Sequence, residues 1–115
     1  MSEPNTLERL AAVIASRRAE DGNTSYTRQL LDGGPEKCAK KFAEEAIETV
    51  MAAVGTDTAH LKAEAADTLY HLLVLLESRN VALGDVYAVL EKRMGTSGLD
   101  EKRSRGPYTQ GSDKS

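Results

Sequence analysis

Apolar residues return at helical spacing from the start of the chain. Leu7, Leu10, Ala11, Val13 and Ile14 predict a helix over 6–19, with Asn5 or Thr6 as its N-cap, and the turn-rich Asp21, Gly22 and Asn23 end it. Ser25 can cap a short helix through Tyr26, Gln29, Leu30 and Leu31. Gly33, Gly34 and Pro35 break that helix, and Pro35 suits the first turn of the next. The second long helix, over 35–54, carries Phe42, Ala43, Ala46, Ile47, Val50, Met51 and Val54 on one broad arc. At 100° per residue, Glu45 and Glu48 fall nearly opposite the centre of that arc. Gly55 to Asp57 separate it from a third helix over 58–79, capped by Asp57 or Thr58. The second half of this helix, LYHLLVLL, is apolar on nearly every side, so it belongs at the centre of a bundle or of a subunit interface.

Asn80 suits the end of that helix, and a fourth runs over 83–94 through Val86, Val89 and Leu90. Gly95, Ser97 and Gly98 then lead into a polar, basic tail, of which 106–115 has neither helical period nor apolar anchor and is expected to be loose. The predicted fold is all-α: four main helices plus a short one, over a domain of 1–105, with the bundle completed by homodimerisation. Four short helices are not expected to surround LYHLLVLL completely. A two-fold partner is therefore predicted to cover it, and pairing of dimers into a tetramer is left open.

Composition narrows the class. A chain of 115 residues makes one domain, and its 40% hydrophobic share includes one Phe, four Tyr and no Trp. The core must come from Leu, Val and Ala, which favours helices. A net charge of −3 excludes nucleic-acid binding through a broadly basic surface. Cys38 stands alone, which excludes an intrachain disulfide framework and fits a reducing cytoplasm. MSEPNTLERL lacks a basic region followed by an apolar run, and the longest apolar run, Leu72 to Leu76, is too short to span a bilayer. The expectation is a cytoplasmic protein with no membrane partner.

The candidate chemistry lies in KKFAEEAIETV (40–50) and EAADTLYH (64–71). Like charges three or four apart on a helix repel by a few tenths of a kcal/mol per pair. Glu45 and Glu48 make one such pair and Glu64 and Asp67 another. From the turn near Gly55, Glu48 lies about seven residues back and Glu64 about nine forward, so on antiparallel helices the pairs stand level to within about 3 Å. Four carboxylates at one level form a hard-oxygen site suited to Mg²⁺. His71, one turn beyond Asp67, has neither a second His close by nor a Cys to favour zinc or copper. Spacing alone leaves a solvated acidic face, partly neutralised by Lys40 and Lys41, as the alternative.

Three segments, SYTRQLLDGGPEKCAKKFAEEAIE, EAADTLYHLLVLL and RMGTSGLDEKRSR, resemble the phosphoribosyl-ATP pyrophosphatases, the second enzymes of histidine biosynthesis. The resemblance covers roughly 6–105. The paired Glu-x-x-Glu and Glu-x-x-Asp spacing marks the wider all-α nucleotide pyrophosphohydrolases, and the Ser-Tyr-Thr and Gly-Thr-Ser-Gly segments narrow it to this branch. It implies hydrolysis of phosphoribosyl-ATP to phosphoribosyl-AMP and pyrophosphate, with Glu45, Glu48, Glu64 and Asp67 holding Mg²⁺, for which Mn²⁺ could substitute. Glu44 either orients the attacking water or is simply solvated. Lys37 and Lys41 are candidate phosphate contacts, and Arg93, Lys102 and Arg105 candidates to close over the substrate, with ordinary helix-end and tail charges as the alternative. Ser25 and Tyr26 face substrate or serve as a cap and its packing neighbour. The rivals are a house-cleaning nucleoside triphosphate pyrophosphatase of the same superfamily and a non-enzymatic helical interaction module.

Overall fold

The structure, a computed structural model, describes residues 3–23 and 25–95, and every regular element among them is helical. The helices are α1 (Thr6–Ser16), continued by a 3₁₀ turn over Arg17–Ala19, then α2 (Tyr26–Asp32), α3 (Gly34–Ala53), α4 (Thr58–Ser78) and α5 (Leu83–Met94). Gly98, Lys102, Arg105 and the 106–115 tail lie outside the described residues. Among those described, no helix is long and apolar enough to cross a membrane.

The predicted caps form. Asn5 accepts from the Glu8 amide (2.8 Å) while the Glu8 carboxylate accepts from the Asn5 amide (2.9 Å), a reciprocal capping box. The Ser25 hydroxyl accepts from Arg28 N (3.0 Å), and Asp57 accepts from Ala59 N and His60 N. Gly34 takes a φ of +84° between α2 and α3, and Asn80, at +60°, turns the chain out of α4.

The chain forms two compact units, one through Leu83 and one from Gly84. In the first, Ile14, Leu30, Cys38, Leu73 and Val74 form the buried core, drawn from α1 to α4, with Leu7, Leu10, Leu31, Tyr70, Leu75, Leu76 and Leu83 packed around it. Burial of each Leu, Ile or Val side chain stabilises by about 1.5–3 kcal/mol relative to exposure. The second unit comprises the rest of α5, with Val86 and Tyr87 half-buried and Val89 and Leu90 exposed.

LYHLLVLL is covered largely within the subunit: His71, Leu73 and Val74 are buried, and Leu72, Leu75 and Leu76 are half-buried. Leu69, at 42%, stays exposed, so the chain by itself covers most but not all of this circumference. The apolar arc of α3, by contrast, does not form the intrachain core. Ile47 is 63% exposed, Val50 61%, Met51 65% and Val54 79%. Instead α3 turns half-buried Glu45 and Thr49 and buried Ala52 inward. Small and hydroxyl side chains allow α3 and α4 to approach closely, and the threonines supply hydrogen bonds across the seam.

Candidate functional site

The α3–α4 register is set by a threonine bridge. Thr49 on α3 donates to the Glu64 carbonyl on α4 (2.9 Å), and Thr68 on α4 donates to the Glu45 carbonyl on α3 (2.9 Å). The two hydroxyls are 2.6 Å apart. Thr49 also lies 3.1 Å from its own Glu45 carbonyl, a back-bond within α3. These contacts set Thr49 opposite Glu64 and Glu45 opposite Thr68, a register that places Glu48 level with Glu64, as the offsets from the turn require. Sequence reasoning passed over both threonines, although Thr49 stands four residues after Glu45 and Thr68 four after Glu64.

At this level, one carboxylate oxygen from each of Glu45, Glu48 and Glu64 lies within 4.8 Å of the others. Glu45 and Glu64 are half-buried and Glu48 is exposed, so the cluster is open on one side. Among the described residues, Glu64 Oε1 is buried with no hydrogen-bond partner. Burial first, and the adjacent Glu48 second, push the Glu64 carboxyl above its ordinary value, while His60 (Nε2 3.3 Å from Glu64 Oε2) pulls it back. An ionised oxygen left without a donor is costly. A divalent cation held by these oxygens would relieve both the orphaned oxygen and the mutual repulsion, and an all-oxygen donor set of this size fits Mg²⁺. Asp67, the fourth predicted ligand, lies outside this close group and is exposed. Its side chain is one methylene shorter and stands one turn further along α4. Its charge nevertheless acts on the same His71 that Glu45 and Glu44 influence.

The remaining predicted residues separate by role. Glu44 is exposed and paired with Lys41 (3.2 Å). This partner, first as a hydrogen bond and then as a charge, raises Lys41 above its ordinary value. Lys37, Lys40 and Lys41 line an open groove on α3 together with Glu36 and Glu44. Ser25 is buried and its hydroxyl is engaged as the α2 cap, so it positions the neighbouring residue. Tyr26 is exposed, and its ring stands edge-on to His71 at 6.4 Å. Tyr70 also packs edge-on to His71, at 4.9 Å, and bonds the Thr27 hydroxyl. Burial outweighs the nearby carboxylates and holds the His71 imidazole below its ordinary value of 6.5, favouring the neutral form. Arg93 lies in the last turn of α5, in the second unit. Lys102 and Arg105 fall outside the described residues.

Antiparallel helices that bring three carboxylates together, with a lysine-lined groove on α3, define an all-α protein. Residues 7–94 match the model of the phosphoribosyl-ATP pyrophosphohydrolase family. The chain is 57% identical over 100 residues to a phosphoribosyl-ATP pyrophosphatase of Cereibacter sphaeroides, covering 87% of this chain and 97% of that one. It is 59% identical over 100 residues to phosphoribosyl-ATP pyrophosphatase 1 of Bradyrhizobium diazoefficiens, covering 87% and 94%. To the Paracoccus denitrificans phosphoribosyl-ATP pyrophosphatase the identity is 56% over 102 residues, covering 89% and 94%. The chain belongs to the phosphoribosyl-ATP pyrophosphohydrolase family.

Proposed function

We infer that this chain hydrolyses phosphoribosyl-ATP to phosphoribosyl-AMP and pyrophosphate, the second step of histidine biosynthesis, with Mg²⁺ held by Glu45, Glu48, Glu64 and Asp67. The observation that carries the reading is the meeting of three carboxylates around an unpartnered Glu64 oxygen, in a chain of this family. When bound, the cation neutralises phosphate charge and makes a water more acidic. The chain's own residues supply the rest. The threonine bridge keeps the carboxylates level, so they need little rearrangement to receive the ion. Lys37 and Lys41 draw the phosphates toward the α3 groove, and Glu44 holds the Lys41 ammonium there. Tyr26, seated against His71, offers the substrate an exposed aromatic face.

The test is pyrophosphate release from phosphoribosyl-ATP, dCTP and dUTP with Mg²⁺ and with EDTA. Mg²⁺-dependent release from phosphoribosyl-ATP is expected. Preference for dCTP or dUTP would identify a house-cleaning enzyme instead, and no release from any of them would leave the interaction module.

The working form in this reading is a homodimer. Support comes from Ile47, Val50, Met51 and Val54, which together leave a contiguous apolar stripe of α3 exposed. Sedimentation at micromolar concentration should give twice the chain mass. Val50→Glu should yield a folded monomer, and a wild-type monomer at that concentration would contradict the pairing.

A further inference from the structure

Resting on the reading of phosphoribosyl-ATP as substrate, we propose that a polar hollow between the 3₁₀ turn and α2 receives the phosphate of its phosphoribosyl group, with Arg17 as the residue that binds it. That substrate is anionic at both ends, with a triphosphate on one ribose, a single phosphate on the other and the adenine between them. The α3 lysines and the carboxylate cluster account for the triphosphate end alone. A phosphate monoester carries a charge of about −1.5 to −2 at neutral pH, so the second end calls for a cationic donor of its own.

The hollow, of about 260 Å³, is lined by Arg17, Glu20, Ser25, Tyr26 and Thr27. Tyr26 links it to the rest of the site. The same side chain lines the hollow, acts electrostatically on Lys41 of the α3 groove and stands against His71. An adenine stacked on its exposed ring thus has Lys41 for the triphosphate and Arg17 for the phosphoribosyl group. The frame is fixed: Arg28 Nη1 donates to the Arg18 carbonyl (2.8 Å) and the Glu20 carbonyl (2.7 Å), and Gln29 Nε2 to the Gly22 carbonyl (2.6 Å). These bonds fasten the turn that carries Arg17 onto the helix that carries Tyr26. A guanidinium offers five N–H donors in a planar fork matched to phosphate oxygens, and the Glu20 carboxylate engages one terminal nitrogen of Arg17. That pair is half-exposed and therefore weak, so a doubly charged phosphate displaces or shares it at little cost. The Ser25 hydroxyl accepts from Arg28 N and keeps its own proton to donate.

The test uses the full-length protein with Mg²⁺, alongside Arg17→Met, Arg17→Lys and, as a control that removes the same charge elsewhere on α1, Arg9→Met. Initial rates give KM and kcat for phosphoribosyl-ATP, and inhibition of the same reaction gives affinities for phosphoribosyl-AMP and for AMP, which lacks the second phosphate. Arg17→Met should raise KM about 10- to 100-fold with kcat little changed, and weaken phosphoribosyl-AMP by the same factor. AMP affinity should stay within about twofold, which also shows that the variant keeps a folded site. Arg17→Lys should fall between, since it keeps the charge and loses the fork, and Arg9→Met should match wild type. An unchanged KM in Arg17→Met, or equal losses for phosphoribosyl-AMP and AMP, would overturn the subsite and leave the hydrolase reading standing. Absence of phosphoribosyl-ATP hydrolysis by wild type would overturn both.

Discussion

Replacing Thr49 by valine isolates the bridge that levels the carboxylates. The side chains are nearly the same size and both β-branched, so the change opens little cavity and alters helix propensity little. What disappears is the hydroxyl that reaches the Glu64 carbonyl at 2.9 Å and lies 2.6 Å from the Thr68 hydroxyl. A hydroxyl has one proton, so at any moment it makes about one donor bond and accepts another. Each is worth about 0.5–1.5 kcal/mol net, and the Glu64 carbonyl retains its helical backbone partner, so no orphan group adds to the cost. Thr49→Val should therefore destabilise by about 1–3 kcal/mol. For a domain of this size each kcal/mol lowers the melting temperature by about 4 °C or slightly more. Thr68→Val should behave alike. Because the two hydroxyls touch, the double variant should cost less than the sum of the singles, with a coupling of about 0.5–1.5 kcal/mol. The assay is thermal unfolding followed by circular dichroism at fixed protein concentration, in EDTA and in Mg²⁺, with Mg²⁺ affinity measured in parallel. Affinity should drop in both single variants, since the ligands lose their common level. Additive single effects, each below about 0.3 kcal/mol, with unchanged Mg²⁺ affinity, would refute the bridge as the element that sets the site.

Three further outcomes are expected. Glu48→Gln and Asp67→Asn should each cut initial rates by about 100-fold, equivalent to about 2.7 kcal/mol of barrier, while keeping the helical spectrum, and a full rate in EDTA would contradict the metal's part. Truncation after Arg105 should leave turnover nearly unchanged, whereas truncation after Met94, which removes no core residue named here, should raise the KM for phosphoribosyl-ATP severely; equal behaviour of the two would misplace the functional boundary. Burial holds the His71 pKa below 6.5, so the unfolded chain takes up its proton first as pH falls; the stability His71 confers is present above 6.5 and is lost as pH drops through the lower folded value. His71→Asn should flatten that pH dependence of the melting temperature, and an unchanged slope would show that other groups carry it.

Helix existence, order and ends were legible in the sequence because they depend on local chemistry. Asn5, Ser25 and Asp57 cap within three residues of themselves, Gly34 and Asn80 adopt left-handed conformations on the spot, and the apolar period needs only one helix to be seen. The meeting of Glu48 with Glu64 was legible for the same reason: a short turn and a fixed rise per residue set the level of two antiparallel helices. The face that each helix turns inward was not a local matter. Ile47, Val50, Met51 and Val54 form the stripe that periodicity assigns to a core, yet α3 packs on α4 through Glu45, Thr49 and Ala52. An apolar stripe establishes that a face wants cover without saying which chain provides it. Likewise, LYHLLVLL demanded burial, and only the packing of α1, α2 and α3 around Leu73 and Val74 decided which of its residues the chain itself covers, leaving Leu69 exposed. Spacing placed four acids on two helices. The tertiary structure brought three together, left Asp67 on the exposed flank and set His60 against Glu64, because the reach of a side chain across a helix pair depends on its length and on the rotation of both helices.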